Sequence, residues 1–194
     1  MSRTAIRHTL LSAALFATSA ASAAPASYAL DPAHTFPSFE ADHMGISYWR
    51  GKLTSSSGTV VLDREAKTGT IEVAIDLASI DFGFDKLDAW ARGKEFFDVA
   101  KYPKATYTGR LAHFVDGRPT EAVGTLDLHG VRKPLSLAIG RFKCIAHPIY
   151  KRELCGADAS GSFDRAAFGL DAGKDYGFDM TVALRIQVEA LRDE

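Results

Sequence analysis

Met180, Val182, Leu184, Ile186 and Val188 alternate with Thr181, Ala183, Arg185, Gln187 and Glu189, and this two-residue period returns along most of the chain. A period of two sends successive side chains to opposite faces, so each such run is a strand with one apolar side. Ile71, Val73, Ile75 and Leu77 repeat the pattern against Thr70, Glu72, Ala74 and Asp76. Phe39, Ala41 and His43 share a face, as do Tyr107 with Leu111, Leu126 with Leu128, and Leu135 with Leu137 and Ile139. Tyr28 to Asp31 is a short strand and Ala157 to Phe163 a weak one, and Ile46 to Asp63 is long for one strand, with Gly51 and Gly58 able to let it bend. Pro37 has no N–H for a ladder, so its strand is an edge or is bulged there. Turn signals at Asp31-Pro32, Asp116-Gly117 and Gly130 keep the connections short.

About eight strands on short turns argue for an all-β antiparallel fold rather than βαβ units. A closed up-and-down barrel gives the apolar faces one shared interior and removes open edges. A two-sheet sandwich shows the same alternation and stays open. A barrel of about eight strands is filled by side chains, or by side chains and one small ligand.

The period changes once, between Ser79 and Pro103. Leu87, Trp90, Ala91 and Lys94 fall at i, i+3, i+4 and i+7, one side of a short helix. Asp85 stands where an N-cap belongs, Asp88 and Arg92 form an i,i+4 pair, and Lys101-Tyr102-Pro103 bars further helix. The stretch reads either as a helical lid across one end of a sheet or as a connector whose aromatics fill the core. As a lid, it predicts Trp90 and Leu87 over the mouth of the interior.

Arg3 and Arg7, the apolar run Leu10 to Ala21 and the Ala21-Ser22-Ala23 site form a secretory signal peptide over residues 1–23, leaving a single domain over 24–194. The run is shorter than the roughly 20 residues of a membrane span, and no cysteine precedes the mature start to carry a lipid anchor. A soluble periplasmic protein is expected. Loss of Arg3 and Arg7 moves the formal net charge from −1 to about −3, and no basic block suggests nucleic acid or an anionic membrane. Cys144 and Cys155, an even count in an exported chain, suggest a disulfide closing a strand-to-strand loop, worth about 2–3 kcal/mol. Free thiols or a redox pair are the alternatives, although the spacing is unlike CxxC.

No GxSxG, HExxH, P-loop or GxGxxG occurs, and His34, His43, His113, His129 and His147 form no HxH or HxxxH pair. His129 reads as a turn histidine and His113 as a surface one, while His34 and His43 are placed to brace the barrel. Neither a catalytic residue, a metal nor a cofactor is expected. The aromatics carry more: Phe39, Trp49, Phe82, Phe84, Trp90, Phe96, Phe97, Tyr107 and Phe168, with Leu87, are the candidate ligand-binding residues of an apolar cavity. The alternative is a filled barrel with no cavity.

Several short pieces carry a family resemblance. They are Asp31, His34-Thr35, Phe39, His43-Met44-Gly45, Gly58, Ala78-Ser79-Ile80-Asp81, Phe96-Phe97-Asp98-Val99 and Lys101-Tyr102-Pro103. Further along come Gly124, Leu126, Leu128-His129-Gly130-Val131, Lys133-Pro134-Leu135, Asp164-Arg165 and Phe168-Gly169. In this order the chain resembles the YceI-like, polyisoprenoid-binding family over its whole mature length. The resemblance implies a lipocalin-like barrel with a helix across it and a long apolar pore for an isoprenoid, a quinone or a similar amphiphile. It also implies possible homodimers. Leu87, Trp90 and Ala91 replace an arginine, a histidine and a leucine common in the family, and Pro37 replaces a strand former, so the lid is more apolar here. The expected function is a periplasmic carrier without turnover. A lipid-modifying enzyme using His34 or His43, and a non-binding envelope stress or adhesion module, are the readings from other classes.

Overall fold

The computed structural model describes residues 24–194, so the expected signal peptide lies outside the described residues. The strands are β1 Ala26–Leu30, β2 Phe36–His43, β3 Ser47–Leu53, β4 Ser56–Asp63, β5 Thr68–Asp76, β6 Ile80–Asp81, β7 Lys104–Val115, β8 Arg118–Leu128, β9 Val131–Ala146, β10 Glu153–Asp164 and β11 Thr181–Arg192. One helix, α1 Asp85–Arg92, follows β6.

Three pairs of strands are halves of single interrupted lanes. β1 and β2 both run antiparallel to β11, β4 and β3 run along them, and β5 and β6 run along β4 and β3. The result is eight lanes in up-and-down order, closed where β11 meets β1 and β2. The apolar faces converge on one interior, and the sandwich alternative is excluded because a closed ring has no sheet edges.

The interruptions correct the sequence expectations. Leu30 faces Ala190 and Phe36 faces Gln187, so six residues of one lane are matched by three of the other. Pro32, Ala33 and His34 bulge outward while buried Thr35 turns back to the cavity wall; the Ala33 N–H donates to Asp31 Oδ1 at 2.9 Å, and Thr35 Oγ1 donates to the Glu189 carbonyl at 3.1 Å. Pro37 sits directly past this bulge and is not on an edge, since β2 is flanked by β11 and β3. The long second lane breaks at 54–55, not at its glycines. Gly58 is instead a point of close backbone approach, where a Cβ would lie 2.1 Å from the Glu72 carbonyl oxygen.

The helix also differs in detail. Phe84, extended, precedes it and Asp85 is its first residue, not its cap. Asp88 Oδ1 accepts the Phe82 N–H at 2.8 Å, and Arg92 Nη1 lies 3.4 Å from the Ala78 carbonyl. The expected Asp88–Arg92 pair gives way because a surface i,i+4 pair is worth only a few tenths of a kcal/mol, about 0.3–0.5. Lys94 lies beyond the helix end. Ala91 is fully buried and pins the helix to the barrel.

Cys144 and Cys155 are disulfide-bonded. They face one another as a rung of the β9–β10 ladder, so the bridge lies inside the sheet and the connection proper is 147–152.

Candidate functional site

The strand directions give the barrel two distinct ends. At one end lie the turns after β4, β7 and β9 and both termini of the described chain. At the other lie the β2–β3 turn, α1 with residues 82–103, the β8–β9 turn and the loop 165–180. Between them runs a cavity of about 520 Å³, within the roughly 300–1,000 Å³ of ligand pockets. A 12-residue strand is about 40 Å long and is tilted by about 40° in such a barrel, so the interior offers roughly 30 Å of depth.

The inward alternation lines this space. Val60, Ile71, Val73, Ile75, Leu184, Ile186 and Val188 all point into it, yet they are only partly buried. In a filled barrel these positions would be the core. Here they face empty volume.

The cavity is shut at the terminal end. Tyr28, Leu111, Pro119 and Cys155 line it there and are all buried. Behind them, the Tyr28 hydroxyl donates to Glu153 Oε2 at 2.6 Å and Arg64 Nη2 donates to Glu153 Oε1 at 2.6 Å. Burial pushes the Glu153 carboxyl up, but the hydrogen bonds from Tyr28 and Arg64 outweigh it and hold the pKa below the ordinary value. Higher in the barrel, the Tyr107 hydroxyl lies 3.1 Å from the carbonyls of both Ala122 and Leu135, and burial raises its pKa to about 12. The hydroxyl end of its ring packs against Gly124, where a Cβ would come within 2.7 Å of Tyr107 Cζ.

The helical end is open. Trp49 and Trp90 both line the cavity and keep 37% and 38% of their surface exposed, so they mark its mouth. One aromatic cluster joins Trp90 stacked on Phe96, centroids 5.1 Å apart, and Phe96 against Phe97 at 4.8 Å. A second joins Phe39, Phe82, Trp49, His43 and Phe178 through edge-to-face contacts of 5.2–6.3 Å. Gly51 makes room for it, since a Cβ there would lie 2.7 Å from Phe39 Cζ.

Polar groups gather at the same mouth. The Asp42 carboxylate accepts the N–H groups of Gly45 at 3.0 Å and Asp179 at 3.1 Å. Arg165 is buried, donates to the carbonyls of Leu170 at 2.5 Å and Ala172 at 2.8 Å, and lies 5.8 Å over the Phe96 ring. Burial lowers its pKa against the opposing pull of Asp171 and Asp164. Among the described residues, no buried side-chain polar atom lacks a hydrogen-bond partner. The wall therefore presents satisfied polar groups and apolar surface, which suits an apolar chain.

Of the candidate ligand-binding residues, Phe39, Trp49, Phe82, Leu87, Trp90, Phe96, Phe97 and Tyr107 line this cavity. Phe84 and Phe168 do not. Phe84 precedes the helix and projects outward, half exposed, whereas Phe168 is buried beneath the loop, 5.4 Å from Phe163. Asp42, Arg165 and Phe178 were not among the candidate ligand-binding residues. Arg165 and Phe178 come from a glycine-rich loop without periodicity, where only the Asp164-Arg165 and Phe168-Gly169 pieces of the family resemblance fall. His43 is at the mouth, but His34 is outside the cavity, its Nδ1 2.7 Å from Asp31 Oδ2. His129 holds a turn, 3.2 Å from the Phe168 carbonyl, and His113 pairs on the surface with Glu121. Among the described residues, Asp31, His34 and Glu189 form one group with metal-ligand spacing, and Cys144, Glu153 and Cys155 another; the latter's cysteines are consumed in the disulfide.

Comparison with known proteins gives consistent results. The family model for the YceI-like domain matches residues 28–190. Protein YceI of Escherichia coli O6:H1 is 34% identical over 122 residues, which cover 61% of this chain and 63% of that protein. The match thus spans less than two thirds of that curated relative's length. The YCEI protein of Campylobacter jejuni superposes with a TM-score of 0.65 at 25% identity, covering 78% of this chain and 90% of its own. A polyisoprenoid binding domain from Saccharophagus degradans, implicated in plant cell wall breakdown, superposes with a TM-score of 0.62 at 21% identity over 87% of this chain and 99% of its own. The last is a likeness of fold alone.

Proposed function

The chain belongs to the YceI-like domain family, and from that membership and its hollow interior we propose that it holds the apolar chain of an isoprenoid lipid or a quinone, as a periplasmic carrier without turnover. The observation that carries this reading is the continuous apolar lining from Trp90 at the mouth to Tyr28 at the closed end. Each methylene moved from water into such a lining gains about 0.8 kcal/mol, so a long chain gains much and a polar solute little. The head group belongs at the mouth, beside Asp42, His43 and Arg165, because the depth of the tunnel has nothing comparable to offer it. The polyisoprenoid binding domain from Saccharophagus degradans shares the fold, which supports the choice of ligand class.

Native mass spectrometry of protein purified from its own cell envelope tests this. The expected spectrum shows one co-purified lipid per chain. A ligand-free sample that also ignores added polyprenols and quinones would remove the reading. The enzyme alternative has no comparable support: His34 is outside the cavity, and His43 is held edge-on between the rings of Trp49 and Phe178. The packed, non-binding module is disfavoured by the cavity itself.

A further inference from the structure

We infer that the open end of the barrel docks on the surface of a lipid bilayer, so that the ligand passes between membrane and tunnel without entering water. The inference rests on the tunnel being a site for an apolar chain. Its own warrant is the rim. Three separate segments meet around the mouth, and each carries apolar side chains that point away from the protein. The β2–β3 turn exposes Met44 and Ile46, Ile46 to 78%; the start of α1 exposes Phe84; the loop 165–180 exposes Tyr176 to 77%. Trp49 and Trp90 continue this rim into the tunnel, since each belongs to both surfaces. The first and third segments are fastened together, by the Asp179 N–H on Asp42 and by Phe178 against His43. The rim is therefore a built surface rather than scattered exposure.

Apolar side chains cost free energy in water, and a contiguous set around an opening marks a surface that is covered in use. What covers it must also accept or release an apolar chain at the opening, which a bilayer does. Mixed Trp, Tyr, Phe, Ile and Met at the tips of loops is the chemistry of the membrane–water interface. Charge sharpens the choice of bilayer. Residues 82–103 carry four acidic and four basic side chains, and residues 165–180 carry three acidic and two basic, so neither of these two rim segments has an excess of positive charge. Docking is then apolar, independent of anionic lipid and insensitive to salt. The closed end has exposed apolar groups too, Val115 at the β7–β8 turn and Ile145, Ile149 and Tyr150 on the hairpin that carries Lys151 and Arg152, but they surround no opening. They supply the control.

The test is flotation of residues 24–194 with phosphatidylcholine vesicles carrying a quinone, with transfer followed by quenching of Trp49 and Trp90. The rim variant is Ile46→Asp with Phe84→Asp, neither of which lines the tunnel; the control is Ile149→Asp. The wild type and the control should float equally at low and high salt. The rim variant should lose flotation and slow vesicle-to-protein transfer by about ten-fold or more, as removal of two apolar side chains that enter the bilayer requires. Its quinone loading from detergent should stay unchanged. A wild type that stays with the soluble fraction overturns the inference. So does equal loss in both variants, or a rim variant that alters only self-association by sedimentation, which would make the rim a contact between copies. A chain that floats but takes up no quinone even from detergent contradicts the ligand reading while docking stands.

Discussion

At the closed end of the barrel, Tyr28, Arg64 and Glu153 bond one another behind buried Leu111 and Pro119, and a disulfide crosses the adjacent ladder. At the open end the connections between strands are longest, the aromatics touch edge-on or by stacking, and two tryptophans keep over a third of their surface exposed. The closed end is fixed by polar and covalent bonds of short range. The open end has local hydrogen bonds through Asp42, Asp88 and Arg165, but its tunnel-facing surface is aromatic and makes apolar contacts that a ligand chain can replace. This division predicts that stability and ligand retention can be lost separately.

The largest stability loss should come from Phe168→Ala, which lies at the open end but outside the tunnel. Removing a buried aromatic costs about 3–5 kcal/mol, so its urea midpoint should fall sharply while the folded fraction releases ligand at the wild-type rate. Faster release from the folded fraction would mean that Phe168 belongs to the gate. At the closed end, the double variant Cys144→Ser with Cys155→Ser should lose about 2–3 kcal/mol by loop entropy and keep its ligand affinity. A changed affinity would show that the two ends are coupled.

Glu153→Gln probes the same end through pH. The folded pKa of Glu153 lies below its unfolded value, so its contribution is full above the ordinary carboxylate pKa and disappears as pH falls through the folded value. Near neutrality the variant should be less stable than the wild type by about 1–2 kcal/mol, read from urea unfolding, and the gap should close on the acid side. A gap independent of pH would assign the effect to packing. The smallest stability effect belongs to Trp90→Ala. Over a third of its surface is already exposed, so its midpoint should drop by much less than that of Phe168→Ala, while lipid dissociation accelerates several-fold. A large fall in midpoint with unchanged dissociation would make Trp90 core and place the gate elsewhere.

The barrel was legible in the sequence because each lane has one apolar face, and a period of two survives bulges. Pro37, Phe39, Ala41 and His43 all line the cavity as their shared face required. What the period could not carry was whether the interior is full, since Val73 or Ile186 reads the same over packed atoms as over empty space. The tips were legible only in part. Trp90, Leu87, Phe96 and Phe97 were found from helical spacing and composition, but Phe84 and Phe168 could not be sorted from them, since composition does not say which way a ring points. Asp88 was misread because its partner, the Phe82 N–H, comes from a turn rather than from the helix. Arg165 and Phe178 lie in a loop whose course is set by glycines with positive φ, Gly169, Gly173 and Gly177, and no periodicity reaches them.

An interior that serves as a binding space must lose its ligand when it is filled. The chain has two tryptophans, and both stand at the mouth, so their fluorescence reports occupancy. Titration with a soluble short-chain quinone should quench them saturably at one equivalent in the wild type. In the variant Val73→Phe with Ala159→Phe, whose added rings from the third and seventh lanes occupy the empty volume, saturable quenching should vanish while the urea midpoint is kept or raised. Identical titrations in the two proteins, or no saturable quenching in the wild type, would contradict the account.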